Sequence, residues 1–313
     1  MSNVLDIGES SVIFFASFFD GEMMIIQHER VADNVYFFQS LQYAQVTAGV
    51  IAGPDMAVVI DTLAFPEETA EIRNFIDNEL QVPVRYVINT HYHADHSWGN
   101  YQFPEAKVIG HTLCHEQLRT RGIPALEAQR DQNPIYRNVE IVLPHITFDE
   151  GEMNLQVGKK TLRLFPFFGH SKDSIAILVE EDRVLFSGDT VMSLPVIVDG
   201  DLDENLASLK RLPKMGLENI VQGHGDIILR GEIDDKIRED IEYLTEIKKA
   251  VKKANRRRYP LDLLEETTIE ECGKARVLLG GLAPALHRQN LIGHYRNSYG
   301  ETPLGSEEYY EDR

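Results

Sequence analysis

The sequence predicts an α/β sandwich rather than an all-parallel doubly wound sheet. Three observations predict it. Strand-like, β-branched runs fall in two groups, one from Val35–Phe38 to Ala57–Ile60 and one from Leu162–Phe165 to Val184–Ser187. Helical stretches lie between and after these groups, in the order strands, helix, strand, helix, strands, helix, strand. Turn residues such as Gly53-Pro54-Asp55 separate neighbouring strands.

Taken in order, the apolar run Val12–Phe19 reads as a strand or a docking arm. A secretory signal needs a positive leader, yet Asp6 and Glu9 precede the run and the first basic residue is Arg30. It is also too short to span a bilayer. From Asn34 the pattern is regular, with strands at Val35–Phe38, Val46–Ala52 and Ala57–Ile60. Pro66 opens a helix to about Leu80, with Glu67 and Glu68 in its first turn. Val84–Asn89 and Lys107–Gly110 are strands, and Thr112–Arg121 is helical. The polar stretch Gly122–Pro144 has little pattern and is expected to wrap the surface or form a lid. Strands resume at Leu162–Phe165, Ile175–Val179 and Val184–Ser187, followed by a helix at Leu202–Leu212 and a short strand at Ile220–Gln222.

After Gly231 the character changes. Glu232–Arg257 reads as one long helix, acidic in its first half and basic at its end, which complements the helix dipole. The basic end is expected to be a solvated face. Pro260 stops it, and residues 261–297 are mostly helical around Gly280-Gly281 and Pro284. The tail Gly300–Arg313 is acidic and tyrosine-rich, a free end or an oligomer contact. The chain therefore divides into a body, 1–231, whose first 33 residues form an N-terminal arm, and a helical extension, 232–313, expected to pack on or near the site.

The 313 residues carry 31 Lys and Arg against 50 Asp and Glu, a net charge of −19. Such a surface repels phosphate backbones, so nucleic acid is not expected as a partner and a small molecule is. The two cysteines, Cys114 and Cys272, form no CxxC and are expected to be ordinary buried thiols in a cytoplasmic protein. No apolar run reaches membrane-spanning length. A homo-oligomer is compatible with the sequence.

The densest chemistry is His91-Tyr92-His93-Ala94-Asp95-His96, directly after the Val84–Asn89 strand. Side chains two apart on an extended segment point the same way. His91 and His93 can therefore grip one ion, while Asp95 and His96 reach a second where the chain turns. Imidazole and carboxylate without thiolate suit Zn²⁺, and Fe or Mn also fit. Three further candidates stand beside glycine at strand ends: His170 in Gly169-His170-Ser171, Asp189 in Ser187-Gly188-Asp189-Thr190, and His224 in Gly223-His224-Gly225. Glycine permits the sharp turns that aim such side chains at a sheet edge.

Over roughly Asn34–Arg230 this ordered set resembles the metallo-β-lactamase-fold hydrolase superfamily, in its glyoxalase II, lactonase and lactamase-like branch. Asp61 in Val59-Ile60-Asp61-Thr62 matches the acidic residue of the first superfamily motif, and Thr90–His96, His170, Asp189 and His224 match the others. The resemblance implies a four-layer αββα sandwich. It also implies two divalent metal ions: His91, His93 and His170 for the first, Asp95, His96 and His224 for the second, and Asp189 between them. Asp61 is expected to orient a ligating histidine. The implied activity is a dinuclear metal-dependent hydrolase, in which a bridging hydroxide attacks the carbonyl of a small ester, lactone, thioester or β-lactam-like substrate and Asp95 orients the nucleophile and moves its proton. One large class of β-lactamases carries Cys where Asp189 stands, which favours a general hydrolase. Gln222 stands where a Pro commonly precedes the last histidine.

Alternatives in other classes are a glyoxalase-II-like thioesterase and a mononuclear-iron persulfide dioxygenase, which would use only the first three histidines with Asp189. A tRNA-processing nuclease is opposed by the acidic charge. Of the other residues, Trp98 and the Met192–Val198 segment are candidate walls of a substrate pocket, as are Phe167 and Phe168. His287 and His294 are further candidates from the C-terminal helices, whereas His111 and His115 lack a carboxylate partner for a metal.

Overall fold

The two groups of β-branched runs fold into two sheets. The computed structural model describes residues 22–300 together with the short strands Val4–Asp6, Ser11–Ile13 and Ser17–Phe19. The first sheet has seven strands in the order Ile146–Phe148, Lys107–His111, Val84–Ile88, Ala57–Ile60, Thr47–Ala52, Val35–Ser40, Ile26–Ala32. Its N-terminal half is an antiparallel meander. Ala57–Ile60, Val84–Ile88, Lys107–His111 and Ile146–Phe148 then run parallel. Parallel neighbours need a crossover, and the helix Pro66–Phe75 provides the first one. The second sheet has six strands, Met153–Val157, Lys160–Pro166, Ile175–Val179, Val184–Phe186, Asn219–Val221 and Ile228–Leu229. Its one parallel pair, Val184–Phe186 with Asn219–Val221, is bridged by the helix Leu202–Leu209. Asp201 caps that helix by accepting from the amides of Asp203 and Glu204 at 2.8 and 3.1 Å.

Alternate residues of both sheets fill the space between them: Ile51, Val58, Ile60 and Ile88 from the first meet Leu164, Ile177, Val184 and Phe186 from the second. The outer face of the first sheet buries Val50, Val59 and Val87 under Ile72 and Ile76. The outer face of the second buries Phe165, Leu178, Leu185 and Ile220 under Leu206, Ile237, Tyr243, Leu244 and Leu291. The result is the expected αββα sandwich. The C-terminal helices Ile233–Ala254 and Ala283–Tyr299 supply part of its fourth layer and share one core with the second sheet. On Ile233–Ala254 the buried positions Ile233, Ile237, Asp240, Tyr243, Leu244, Ile247 and Val251 follow the helical repeat.

Several elements differ from the sequence reading. The strand Ile26–Ala32 extends the first sheet into the arm; its central residues are exposed and polar, so no alternation marks it. Residues 122–144 are not a featureless wrap. The helix Ile123–Gln132 occupies much of them, and Tyr136 is buried with its ring against Trp98 at 5.3 Å. The edge strands Ile146–Phe148 and Met153–Val157 also escaped the pattern, because both are short and half-exposed. The helix expected to reach Leu80 turns into a π-helical stretch over Ile76–Leu80. Residues 267–277 join the helices Pro260–Glu266 and Ala283–Tyr299 without a helix, apart from the single turn Leu278–Gly281 that follows. Of the Val12–Phe19 run, residues 14–16 lie outside the described residues, as do residues 301–313 of the tail. Both cysteines are free and buried, and no helix among the described residues is long and apolar enough to cross a membrane.

Candidate metal centre

Every candidate ligand sits where a strand ends on the same rim of the sandwich. Val84–Ile88 delivers His91, His93, Asp95 and His96, Val184–Phe186 delivers Asp189, and Asn219–Val221 delivers His224. The sheets join there, since the Thr47 amide donates to the Gly223 carbonyl at 2.9 Å. Two glycines are fixed by this crowding. A Cβ on Gly223 would lie 1.9 Å from Asp189 Oδ1. Gly169 has φ +146°, and its Cβ would lie 2.4 Å from the Asn205 backbone.

The outer nitrogen of each imidazole is held by an acceptor. His170 Nδ1 donates to the Val196 carbonyl at 2.6 Å, and His224 Nδ1 to the Ala44 carbonyl at 2.9 Å. His96 Nδ1 donates to Asp61 Oδ2 at 2.8 Å. His91 Nδ1 donates to Thr90 Oγ1 at 3.1 Å, and that hydroxyl donates to Asp61 at 2.7 Å. His93 Nε2 faces Asp199 Oδ2 at 3.4 Å. Fixing the outer proton fixes the tautomer, so each inner nitrogen presents a lone pair. His91 Nε2 and His170 Nε2 lie 2.9 and 3.0 Å from His93 Nδ1, lone pair against lone pair. His96 Nε2 and Asp189 Oδ1 are buried 3.2 Å apart, and neither has a hydrogen-bond partner. Such a convergence of acceptors is stable only around cations, so the residues fit a metal centre.

Two groups emerge, His91, His93, His170 and Asp189, and beside them Asp95, His96 and His224, with the ligand atoms of each group within 4.8 Å of one another. Asp189 joins them. Its Oδ2 lies 3.8, 3.4 and 3.4 Å from His91, His170 and His224 Nε2. Asp95 Oδ2 stands 3.2 Å from His224 Nε2 and 3.7 Å from His96 Nε2.

The electrostatics differ between the groups. Burial, helped by His96 and His93, drives His91 well below the ordinary imidazole range, and burial sets His170 at about 4. On the other side burial also opposes charge, but Asp189 and Asp95 outweigh it, raising His96 well above its usual value and His224 to about 10. In turn, and against their own burial, His96 and His224 hold Asp95 at about 2, and the same two rings hold Asp189 well below the carboxylate range. His91 and His170 thus favour the neutral form, and Asp189 and Asp95 beside His96 and His224 supply the negative field that a cation held there would meet. Asp61 turns the chain at φ +56°, a conformation aspartate tolerates, and ties His96 to the amide and hydroxyl of Thr90.

A cavity of about 460 Å³ opens over this floor. One wall is apolar: Met192, Val196 and Val198 from the segment after Asp189, and Leu279, Leu282, Ala285 and Leu286 from the C-terminal helices. Tyr43, Trp98, Tyr92 and Arg121 complete the rim.

A sequence model described as the metallo-beta-lactamase superfamily matches residues 42–224, more than half the chain. The chain belongs to the metallo-beta-lactamase superfamily. Its sheets and helices are those of the metallo-beta-lactamase sandwich, and the chain spans about half the length of the first curated relative it matches. The chain is 28% identical to a beta-lactamase-like protein 2 homolog of Caenorhabditis elegans over 160 residues, 51% of this chain and 48% of that protein. It is 26% identical to the human acyl-coenzyme A thioesterase MBLAC2 over 225 residues, 63% of this chain and 80% of that protein. Solved structures share the fold. A metallo-beta-lactamase from Hirschia baltica aligns with a TM-score of 0.53 at 17% identity over 69% of this chain and 97% of that one. The sec-alkylsulfatase Pisa1 from a Pseudomonas species aligns with a TM-score of 0.70 at 16% identity over 90% of this chain and 51% of that one.

On this metallo-beta-lactamase sandwich all seven sequence-predicted ligands come together, and Trp98 and three residues of Met192–Val198 line the cavity as expected. Phe167 is buried in the core, and Phe168, His287 and His294 do not line the cavity. His111 is held by the Asp149 carbonyl at 3.2 Å and the Leu113 amide at 3.1 Å. The sequence reading missed Asp199, which accepts from Tyr92, from Arg121 at 2.6 Å and from His93. Burial opposes its charge, but those donors hold its carboxyl far below the usual range. No local pattern marks it; Tyr92 and Arg121, its partners, lie about 80 to 110 positions upstream.

Proposed function

We propose that this enzyme is a dinuclear metal-dependent hydrolase of a small acyl substrate, an ester, thioester or lactone with an apolar acyl part. The observation that carries the reading is Asp189, whose oxygens reach inner nitrogens of both histidine groups. Zn²⁺ suits the donor set, with Fe or Mn as alternatives. Divalent cations held there supply a Lewis acid for a carbonyl oxygen and acidify water towards neutrality. His91, His93 and His170 would hold one, Asp95, His96 and His224 the other, and Asp189 both.

The chain's own residues do the rest. Asp95, with 15% of its side chain exposed, faces the cavity. Ionised beside His96 and His224, its carboxylate would orient the attacking water and relay a proton from it to the leaving group. Asp199, held by Tyr92 and Arg121, fixes the His93 ring. The wall of Leu279, Leu282 and Leu286 seats the acyl group and excludes water. Similarity to an acyl-coenzyme A thioesterase and this apolar wall together favour a thioester within the class. A mononuclear iron oxygenase would leave Asp95, His96 and His224 converging around nothing, which counts against it.

The test is hydrolysis of matched ester, thioester, lactone and β-lactam series of rising acyl length, with a phosphodiester beside them, by zinc-loaded and chelator-stripped protein. Metal-dependent turnover that rises with acyl length supports the reading. Turnover indifferent to stripping, or confined to phosphodiesters, contradicts it.

A further inference from the structure

The last helix bears on a metal-site histidine through one buried amide. Asn290, 2% exposed on Ala283–Tyr299, uses both of its donors and one acceptor position of its side-chain oxygen. Its Nδ2 donates to the Pro195 carbonyl at 2.7 Å and to the Tyr243 hydroxyl at 3.0 Å, and its Oδ1 accepts from the Ile197 amide at 2.9 Å. Pro195 and Ile197 flank Val196, whose carbonyl receives the His170 Nδ1 proton. The same segment is joined to His170 a second way, since the amides of Val198 and Asp199 donate to the His170 carbonyl at 3.0 and 3.2 Å. Asp199 then faces His93. Residues 195–199 thus touch two rings of the first histidine group, and Asn290 clamps that segment on both sides of its key carbonyl.

The amide is itself set. The Tyr243 hydroxyl that accepts from Asn290 donates to His287 Nδ1 at 3.1 Å, and His287 Nε2 donates to the Thr267 carbonyl at 3.2 Å. Every member of this chain has one donor direction open to it, so the amide cannot flip without leaving a buried group unpaired.

We propose that Asn290 is a positioning residue for metal binding, holding the Val196 carbonyl where it fixes the His170 tautomer and ring. The inference rests on His170 being a metal ligand. In the metal-loaded enzyme Asn290 touches neither metal nor substrate and acts through Val196 alone. Changing it alters the affinity of the His91, His93 and His170 group beyond any general loss of stability.

The experiment compares wild type, Asn290→Ala, Asn290→Asp, His170→Ala and Leu291→Ala. Leu291 is a fully buried apolar neighbour on the same helix, whose side chain can form no hydrogen bond to the segment, and serves as the packing control. Zn²⁺ affinity is read by competition with a chromogenic chelator, ligand geometry by the absorption of the Co²⁺ form, and stability by melting of the metal-stripped protein. We expect Asn290→Ala to weaken Zn²⁺ binding by about 10–100-fold, the range for residues that orient a metal-bound histidine, and to shift the Co²⁺ spectrum. Leu291→Ala should melt lower yet bind as wild type. Asn290→Asp keeps the acceptor for Ile197 but loses both donors; it should weaken binding too, and it decides the matter if the alanine variant does not fold. Wild-type affinity in the Asn290 variants, alongside weakened binding in His170→Ala, overturns the positioning role. Unchanged affinity in His170→Ala overturns the ligand reading itself, and the positioning role with it.

Discussion

The floor of the cavity and its apolar wall are built on opposite terms. The floor gathers seven ionisable side chains in two groups; on the proposed two-metal reading their identities cannot be exchanged, because each would donate to a metal from a fixed place. The wall is Leu279, Leu282, Ala285 and Leu286, where only size and apolarity count. The floor comes from strand ends of the sandwich, and much of the wall from helices after residue 232. Under the proposed function one part of the molecule sets the chemistry and another sets what is admitted to it. Substitutions in the two parts should fail in different ways.

The largest effect is expected on the floor. Asp189→Ala or His93→Ala should lower kcat/KM by about a thousandfold or more, given the several kcal/mol of charge stabilisation a catalytic metal supplies, while circular dichroism stays unchanged. Wild-type-like turnover in metal-replete Asp189→Ala would remove its bridging role. Next comes Asp61→Ala, which frees His96 and Thr90 together. It should weaken metal binding by about 10–100-fold and be partly rescued by excess Zn²⁺, whereas Asp189→Ala should not be.

The wall should respond more gently and selectively. Leu282→Ala with Leu286→Ala removes apolar contact that a long acyl chain uses and a short one does not. It should lower kcat/KM for long-chain substrates by roughly tenfold, as small changes in a hydrophobic pocket do, and leave acetyl substrates nearly unchanged. An equal loss on both would mean that the wall supports the floor and does not select substrate.

The smallest effect concerns the loop that brings Tyr43 to the rim. Ser40 Oγ accepts from the Tyr43 amide at 2.8 Å and donates to the buried Glu68. Burial raises Glu68 from its ordinary 4.5 to about 7. The neutral form is thus the one the fold favours. Its stabilising contribution is complete below about 4.5 and is lost as pH rises through about 7. Melting temperature should fall between about pH 4.5 and about pH 7 and level off above, and Glu68→Gln should flatten that slope. A steeper fall in the variant would contradict the assignment.

The same contrast explains what could be read in the chain before folding. His91, His93, Asp95 and His96 announce themselves because four donors in six residues have no cheaper explanation, and His170, Asp189 and His224 follow at glycine-flanked strand ends. The central strands were legible from their β-branched runs. Ile26–Ala32 and Ile146–Phe148 were not, because edge strands that bury so little impose no alternation; Met153–Val157 does alternate, but over five residues only. The helix Ile123–Gln132 buries only Leu126 and Gln129, too little for an amphipathic pattern. Asp199 and Asn290 were invisible for another reason. Each acts through a partner distant in sequence, and residue type alone does not say that an aspartate or an asparagine will meet one.

The most direct measurement is the metal content of purified, metal-replete protein, with the metals removed stepwise by chelator while hydrolysis is followed. We expect two divalent ions per chain, loss of turnover as they leave, and full recovery on adding Zn²⁺. One ion per chain, present as iron, with Asp95→Ala as active as wild type, would contradict a two-metal hydrolase.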